Sequence, residues 1–408
     1  MVSLTLADSP RSEGESSFSL EPAPATMKTS GREKRMYEPD FTSVVIEEVS
    51  LPFQEEKVLK LSYNDPMLKN YSLLVIADTH HGAPTLTEHE GNFADSAFVR
   101  GGRRLTTFVA RYPRYVHAEF LRHRVISRNA ASSRARSVKA TLRDVMETPV
   151  IPLFTVNQKG MGGKFADPET REALTKEWLL ARDKDVTSVL SMLIHPRIRE
   201  GKTDTEVAAS YQELLDDYYA NGYDSEGNPK EGYLSAHKQN FNRLIEAHTE
   251  FEEVITSSYW GNMLELRDAE EAQPEIKAIA VLIREGLKVS APTDSWIHAP
   301  FVDRKTIPES HNFEDLRPIL LQSSAEAAQV SYNDKSKSVR STGTSELGER
   351  LLKLKHYSPF EHQAIASDVF YHDVAPTAEG IVTASDQLKS NFSEDWVQFR
   401  PMLAGVTK

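Results

Sequence analysis

The sequence predicts an α+β protein in which helices predominate. Three observations carry that reading. Two short β-branched apolar runs, LLVIAD at 73–78 and LTTFVAR at 105–111, have the length and composition of strands. Helical patterns are longer and more frequent, covering about 170–194, 204–221, 234–248, 258–267 and 272–288. No internal repeat interrupts this mixture.

Taken in order, residues 1–35 are rich in Ser, Pro and Glu and read as a disordered tail. They lack the basic and apolar regions of a signal peptide. Residues 36–72 read as an N-terminal extension, either an added strand or an oligomer arm. Pro113 opens a predicted helix, since proline is tolerated at a first helical position. Tyr115, Val116, Phe120 and Ile126 give that helix an apolar stripe, which makes FLRHRVISRNAASSRARS (Phe120–Ser137) a helix end and the loop after it. The Gly-rich loop at 158–169 lacks the Lys-Ser/Thr of a phosphate-binding loop. The second long pattern stops at Gly222, and DSEGNPKEG (224–232) is turn-rich. APTDSWIHAPFVD (291–303) reads as a connector, 313–329 as a short helix, and 345–356 as a serine-capped helix. QAIASDVFY (363–371) is strand-like.

Composition excludes several classes of function. The 408 residues are 39% hydrophobic, enough for a sizeable core or for two or three domains at ~100–200 residues each. No apolar run reaches the ~20 residues of a membrane span, so a cytoplasmic protein without membrane contact is expected. The formal charge of −12 argues against a nucleic-acid coat. The chain has no cysteine, which removes disulfides, thiolate metal sites and any thiolate nucleophile.

Against that acidic background Phe120–Ser137 holds five arginines and no acid. On a helix Arg122 and Arg124 lie ~200° apart, so at least one should point toward protein or ligand. Two readings fit: a solvated basic helix end that complements the helix dipole, or a site in which arginine forks grip phosphate oxygens, with Ser132 and Arg134 for a second anion. Arg243 in HKQNFNRLIEAH (237–248) and Arg267 in NMLELR (262–267), taken alone, read as surface or snorkelling arginines. In HYSPFEH (356–362), Ser-Pro reads as a helix start with Glu361 in its first turn. His356 and His362 flank it, six apart and without a matched third ligand, so no metal site is expected.

Together these segments resemble the flavin-dependent thymidylate synthases. That family's signature is Arg-His-Arg, seven residues, then Ser, with an arginine two places on. Here it is Arg122-His123-Arg124, VISRNAA, Ser132 and Arg134. NMLELR followed by AQPEI, AAQVSY (327–332) and HYSPFEH resemble three further family segments, and the likeness covers roughly 73–408. It is closest to the long, phage-borne branch, which implies a viral origin and a host cytoplasm. The motif order is cyclically permuted, because Arg-His-Arg precedes the other segments here and follows two of them in the family. A compact fold tolerates this when its termini lie close.

The resemblance implies a circularly permuted, helix-rich catalytic domain over 73–408 with a mixed or antiparallel sheet, assembled as a homotetramer. It implies FAD held by Arg122, His123, Arg124, Asn262, Ser331, Ser358 and Glu361, with His356 beside them. It implies dUMP held by Ser132, Arg134, Arg243 and Arg267, with Arg267 as the catalytic group that stabilises charge on the pyrimidine ring. The implied reaction is reductive methylation of dUMP to dTMP, with methylenetetrahydrofolate and NADPH as co-substrates. Two positions depart from the family. Glu119 stands where a glutamine is usual and should face a base, a ribose or an arginine. Ala130 stands where a glutamate is usual. Both departures open the alternative of a modified product, such as 5-hydroxymethyl-dUMP or a methylated dCMP. A non-catalytic relative, or a nucleic-acid binder using the Arg-rich loop, are further alternatives.

Overall fold

A computed structural model describes residues 38–51, 54–82, 104–134, 136–159, 162–194, 196–329, 345–377 and 391–403. The chain divides into two units, Met1–Glu38 and Pro39–Lys408, and the elements described belong to the second. The tail at 1–35 and Ser331 lie outside the described residues.

The fold is α+β. Strands β1 (Val44–Leu51), β2 (Gln54–Tyr63), β3 (Ser72–His80), β4 (Arg104–Pro113), β5 (Ser127–Ala130) and β6 (Glu250–Ser257) form one antiparallel sheet in the order β1-β2-β3-β4-β6-β5. The short β7 (Thr293–Asp294) joins it in parallel against the end of β3. A second sheet orders β10 (Trp396–Gln398), β9 (Ala364–Ala366) and β8 (Ile297–His298). The central β4 is buried along most of its length, because both faces of the sheet are covered. The edge strand β1 is mostly exposed and carries its glutamates into water, which blunts an open edge.

One face of the sheet packs on the helix Pro274–Val289. Its apolar side chains recur at Ile276, Ile279, Ile283 and Leu287, a helical spacing that lays one stripe on Leu61, Leu73, Phe108 and Ile255. Truncating the fully buried Ile283 to alanine is expected to cost about 2–5 kcal/mol. Gly286 permits the close approach. A Cβ there would come within 3.1 Å of the Leu73 side chain and 3.2 Å of Phe108. On the other face Ile76, Val109 and Val254 meet Phe301 and Ala327. Leu105 of β4 packs with Ala364, Ala366 and Trp396 of the second sheet. A helical layer, including Val138–Glu147, Pro168–Leu193, Tyr211–Asn221 and Lys238–Leu244, has its own apolar cluster. Among the described residues no helix is long and apolar enough to cross a membrane.

Several expectations need correction. The helix predicted from Pro113 is a 3-10 turn, Arg114–Val116, followed by only His117–Phe120. The pattern at 204–221 is two helices, Asp204–Ala209 and Tyr211–Asn221, meeting at Ser210. The strand-like 363–371 pairs only over Ala364–Ala366 and then turns helical. The connector at 291–303 contributes β7 and β8. Within 36–72 the added-strand alternative needs no correction: β1 and β2 are strands of the main sheet.

Candidate functional site

The Arg-rich stretch is shaped by one of its own arginines. When the short helix His117–Phe120 ends, its last carbonyls lack intrahelical donors. Arg128, on β5, supplies them: its guanidinium donates to the carbonyls of Phe120 (2.6 Å), Leu121 (3.2 Å) and His123 (3.2 Å). The segment between helix and strand is thereby folded into a tight turn. Arg122 and Arg124 both point outward and are exposed, while His123 between them is buried. The expectation that one of the two arginines turns inward is therefore wrong. It assumed a continuing helix, and the backbone has already left it.

His123 meets Arg267. The helix Gly261–Arg267 buries Met263 and Leu264 in the main core. Arg267 is also buried, so the snorkelling reading fails; Leu266 is the side chain left in water. Arg267 Nε donates to His123 Nε2 at 3.1 Å. The histidine must therefore be neutral, with its proton on Nδ1. Burial, then the charges of Arg267 and Arg128, pushes its pKa down to about 4. Arg267 Nη1 lies 3.6 Å from Glu119 Oε2. Of the partners expected for Glu119, the arginine is the one it faces. Asn262, at the start of the same helix, is exposed.

At the other end of β5 a second group assembles. The Ser132 hydroxyl accepts from the Arg134 backbone N–H at 3.2 Å, and Arg134 Nε donates to Gln239 Oε1 at 2.6 Å. Gln239 lies on the helix Lys238–Leu244, which also carries Arg243. Ser132, Arg134 and Arg243 are all exposed. Asn242, next to Arg243, is buried, and its amide ties the loop down through the carbonyls of Ser133 (2.8 Å) and Arg136 (3.1 Å). The two groups are separated by the length of β5, roughly 10 Å.

The HYSPFEH segment reaches the same strand from the opposite face. Ser358–Glu361 forms a 3-10 turn. Gln398 of β10 bridges it to β5, donating to Ser127 Oγ (2.9 Å) and to the Glu361 carbonyl (2.6 Å). The Glu361 carboxylate is held by Arg400. His356 and Ser358 are exposed. His362 is buried, and its Nδ1 meets Thr256 Oγ1 at 2.8 Å. Its Nε2 is buried and has no hydrogen-bond partner among the described residues.

A residue that sequence reasoning missed is Glu253. It sits directly across the β5–β6 ladder from Ala130, on the same face, and is fully buried. Tyr112 donates to it, and His117 Nδ1 lies 3.7 Å away. Burial raises its pKa to about 7, against the lowering by the Tyr112 hydroxyl, Arg128 and Arg114. The signal was present in EFEEVITS: residues 251, 253 and 255 share one face, and a glutamate interrupts an otherwise apolar row.

Chemically, the arrangement offers cations for anions and one rigid charge. Arg122 and Arg124 make no ion pair with any described residue, which leaves two guanidinium forks able to take phosphate oxygens. Ser132, Arg134 and Arg243 offer the same to a second, smaller anion. Arg267 is set between a neutral imidazole and a carboxylate, so its charge is fixed in direction.

No protein-family model matches the chain, and no curated protein is similar enough to count as a relative. Among solved structures the chain is similar to a UMP/dUMP methylase, PolB, from Streptomyces cacaoi, solved bound with 5-Br UMP. The identity is 15%, the match spans 53% of this chain and 86% of that one, and the TM-score is 0.31. A likeness this loose carries no argument about fold or substrate.

Proposed function

We propose that the chain is a flavin-dependent pyrimidine-nucleotide methylase that converts dUMP to dTMP, with a circularly permuted version of the flavin-dependent thymidylate synthase fold. The observation that carries the reading is the buried hydrogen bond from Arg267 to His123. It joins two segments, NMLELR and Arg-His-Arg, that are 144 residues apart and that the resemblance assigns to one site.

In this reading Arg122, His123, Arg124, Asn262, Ser331, His356 and Ser358 hold FAD, with Glu361 acting alongside Arg400. When bound and reduced by NADPH, FAD supplies the hydride that completes the methyl group, and methylenetetrahydrofolate supplies the carbon. Ser132, Arg134 and Arg243 grip the nucleotide phosphate. Arg267 stabilises the negative charge that develops on the pyrimidine ring as C5 becomes nucleophilic. A donor held in place before the reaction costs no reorganisation during it, and losing such a donor typically costs ~10²–10³ in rate. With no cysteine in the chain, activation by thiolate addition to C6 is closed. The family's tetramer is the assembly this reading expects.

The absorbance spectrum of the purified full-length protein tests the cofactor. Flavin bands near those of free FAD are expected. A colourless protein that takes up no added FAD contradicts the reading.

Glu119 favours a second reading within the same chemistry. A carboxylate accepts hydrogen bonds and cannot donate one, so beside Arg267 it suits a base with an exocyclic amine, as in dCMP. Mass spectrometry of products from dCMP separates the two readings.

A further inference from the structure

Behind the site, five buried polar side chains form one continuous hydrogen-bonded row. Thr79 Oγ1 meets His298 Nδ1 at 2.8 Å, and His298 Nε2 meets Thr107 Oγ1 at 2.8 Å. Thr107 Oγ1 meets Thr256 Oγ1 at 2.7 Å, directly across the β4–β6 ladder. Thr256 then meets His362 Nδ1 at 2.8 Å. Thr79 is 6% exposed and the other four are fully buried. At one end, Thr79 lines a pocket of about 240 Å³ that also takes in Asp78, Thr293 and Ser295. At the other end, His362 Nε2 is buried and has no hydrogen-bond partner among the described residues, one position beyond the Ser358–Glu361 turn.

A purely structural role explains this poorly. Apolar side chains would hold the two sheets together without the cost of desolvating five polar groups. A network built only for stability would also satisfy its last atom, whereas this one ends on an unpaired ring nitrogen. Every member of the row shares one chemical property: a hydroxyl or a neutral imidazole can accept one proton while giving up another.

We propose that this row conducts a proton between His362 Nε2 and the pocket at Thr79. When a proton binds Nε2, the Nδ1 proton of His362 passes to Thr256, the Thr256 hydroxyl proton to Thr107, and the Thr107 hydroxyl proton to His298 Nε2. The His298 Nδ1 proton passes to Thr79, whose own hydroxyl proton leaves to water in the pocket. One N–H or O–H bond forms for each that breaks, one proton is carried through, and nothing is oxidised or reduced. The identity of that proton rests on the proposed function: putting carbon in place of hydrogen at C5 frees one proton per turnover. The path itself rests only on the geometry.

The test uses full-length protein labelled with 15N-histidine, with water exchange of the His362 ring proton read by NMR. Thr107→Val cuts the row in the middle, Thr79→Val cuts it at the pocket, and Thr107→Ser keeps the hydroxyl. At least tenfold slower exchange is expected in either valine variant, with the wild-type rate restored in the serine variant. Unchanged exchange in the folded valine variants overturns the proposal, as does equal slowing in Thr107→Ser. Should Thr107→Val not fold, Thr79→Val decides. A second measurement, tritium release from 5-tritiated dUMP with folate and NADPH, separates the two claims. No release by the wild-type protein contradicts the proposed function, while the exchange experiment still decides the path.

Discussion

Arg267 and His123 form a buried hydrogen bond of 3.1 Å in which the arginine donates and the histidine accepts. The pairing fixes three things at once. It keeps the imidazole neutral, it orients the guanidinium, and it anchors the turn that exposes Arg122 and Arg124. If Arg267 stabilises charge on the substrate, lysine is a poor replacement despite its charge, because an ammonium lacks the fork that reaches both His123 and Glu119. Product formation by Arg267→Lys is expected to fall at least 100-fold, with wild-type circular dichroism. Measured steady-state rates within threefold of wild type would remove Arg267 from the chemistry.

His123 is expected to show no titration between pH 5 and 9. Its pKa is pushed down to about 4 by burial and by its arginine neighbours. Between about 6.5 and 4 the unfolded chain binds a proton that folded His123 refuses, so its contribution to stability is lost as pH falls through that window. The ring proton shifts of His123, followed by NMR from pH 9 downward, check this. A transition near 6.5 would mean that the histidine is not buried against Arg267.

Glu253 carries the opposite sign. Its pKa in the folded protein is about 7 against 4.5 for a free glutamate, so the folded state holds a proton that the unfolded chain has released. Stability should fall as pH rises from about 4.5 to 7. Glu253→Gln keeps an acceptor for Tyr112 and removes the titration. At pH 8 its unfolding free energy is expected to exceed wild type by up to roughly 3 kcal/mol, the equivalent of the shift, with no gain at pH 4. Urea melts at the two pH values measure the difference.

Arg128→Met keeps much of the stem and removes the guanidinium that closes the helix His117–Phe120. Loss of charged hydrogen bonds to three carbonyls is expected to cost about 1–3 kcal/mol. The turn that carries Arg122 and Arg124 loosens with it. FAD affinity, measured by fluorescence titration, should drop about tenfold. An unchanged affinity would show that the turn keeps its form without Arg128.

The two central strands and the long helices were legible because their signals are local. LLVIAD and LTTFVAR are β-branched runs, and Asp167 with Pro168 caps and opens the helix to Leu193. The Ser358–Glu361 turn and the stop at Gly222 follow from Pro and Gly in the same way. β5 was hidden because SRNA has no strand propensity. It is extended only because β6 pairs with it. Missing β5 turned a short helix into a long one and pointed an arginine the wrong way. The candidate site residues could be named from motifs, whereas the partners that the structure gives them could not. Gln398 and Arg400 act through contacts between segments far apart in the chain, which no local pattern announces, and Arg128 reaches back to Phe120, Leu121 and His123 only because β5 is extended.

Incubation of the purified protein with dUMP, methylenetetrahydrofolate, NADPH and FAD, followed by mass spectrometry of the nucleotide, tests the central claim most directly. The account predicts dTMP, formed only with dUMP, methylenetetrahydrofolate, NADPH and flavin, whether carried by the protein or added, and abolished without NADPH. Unchanged dUMP, from a protein shown by absorbance to carry flavin, would contradict it.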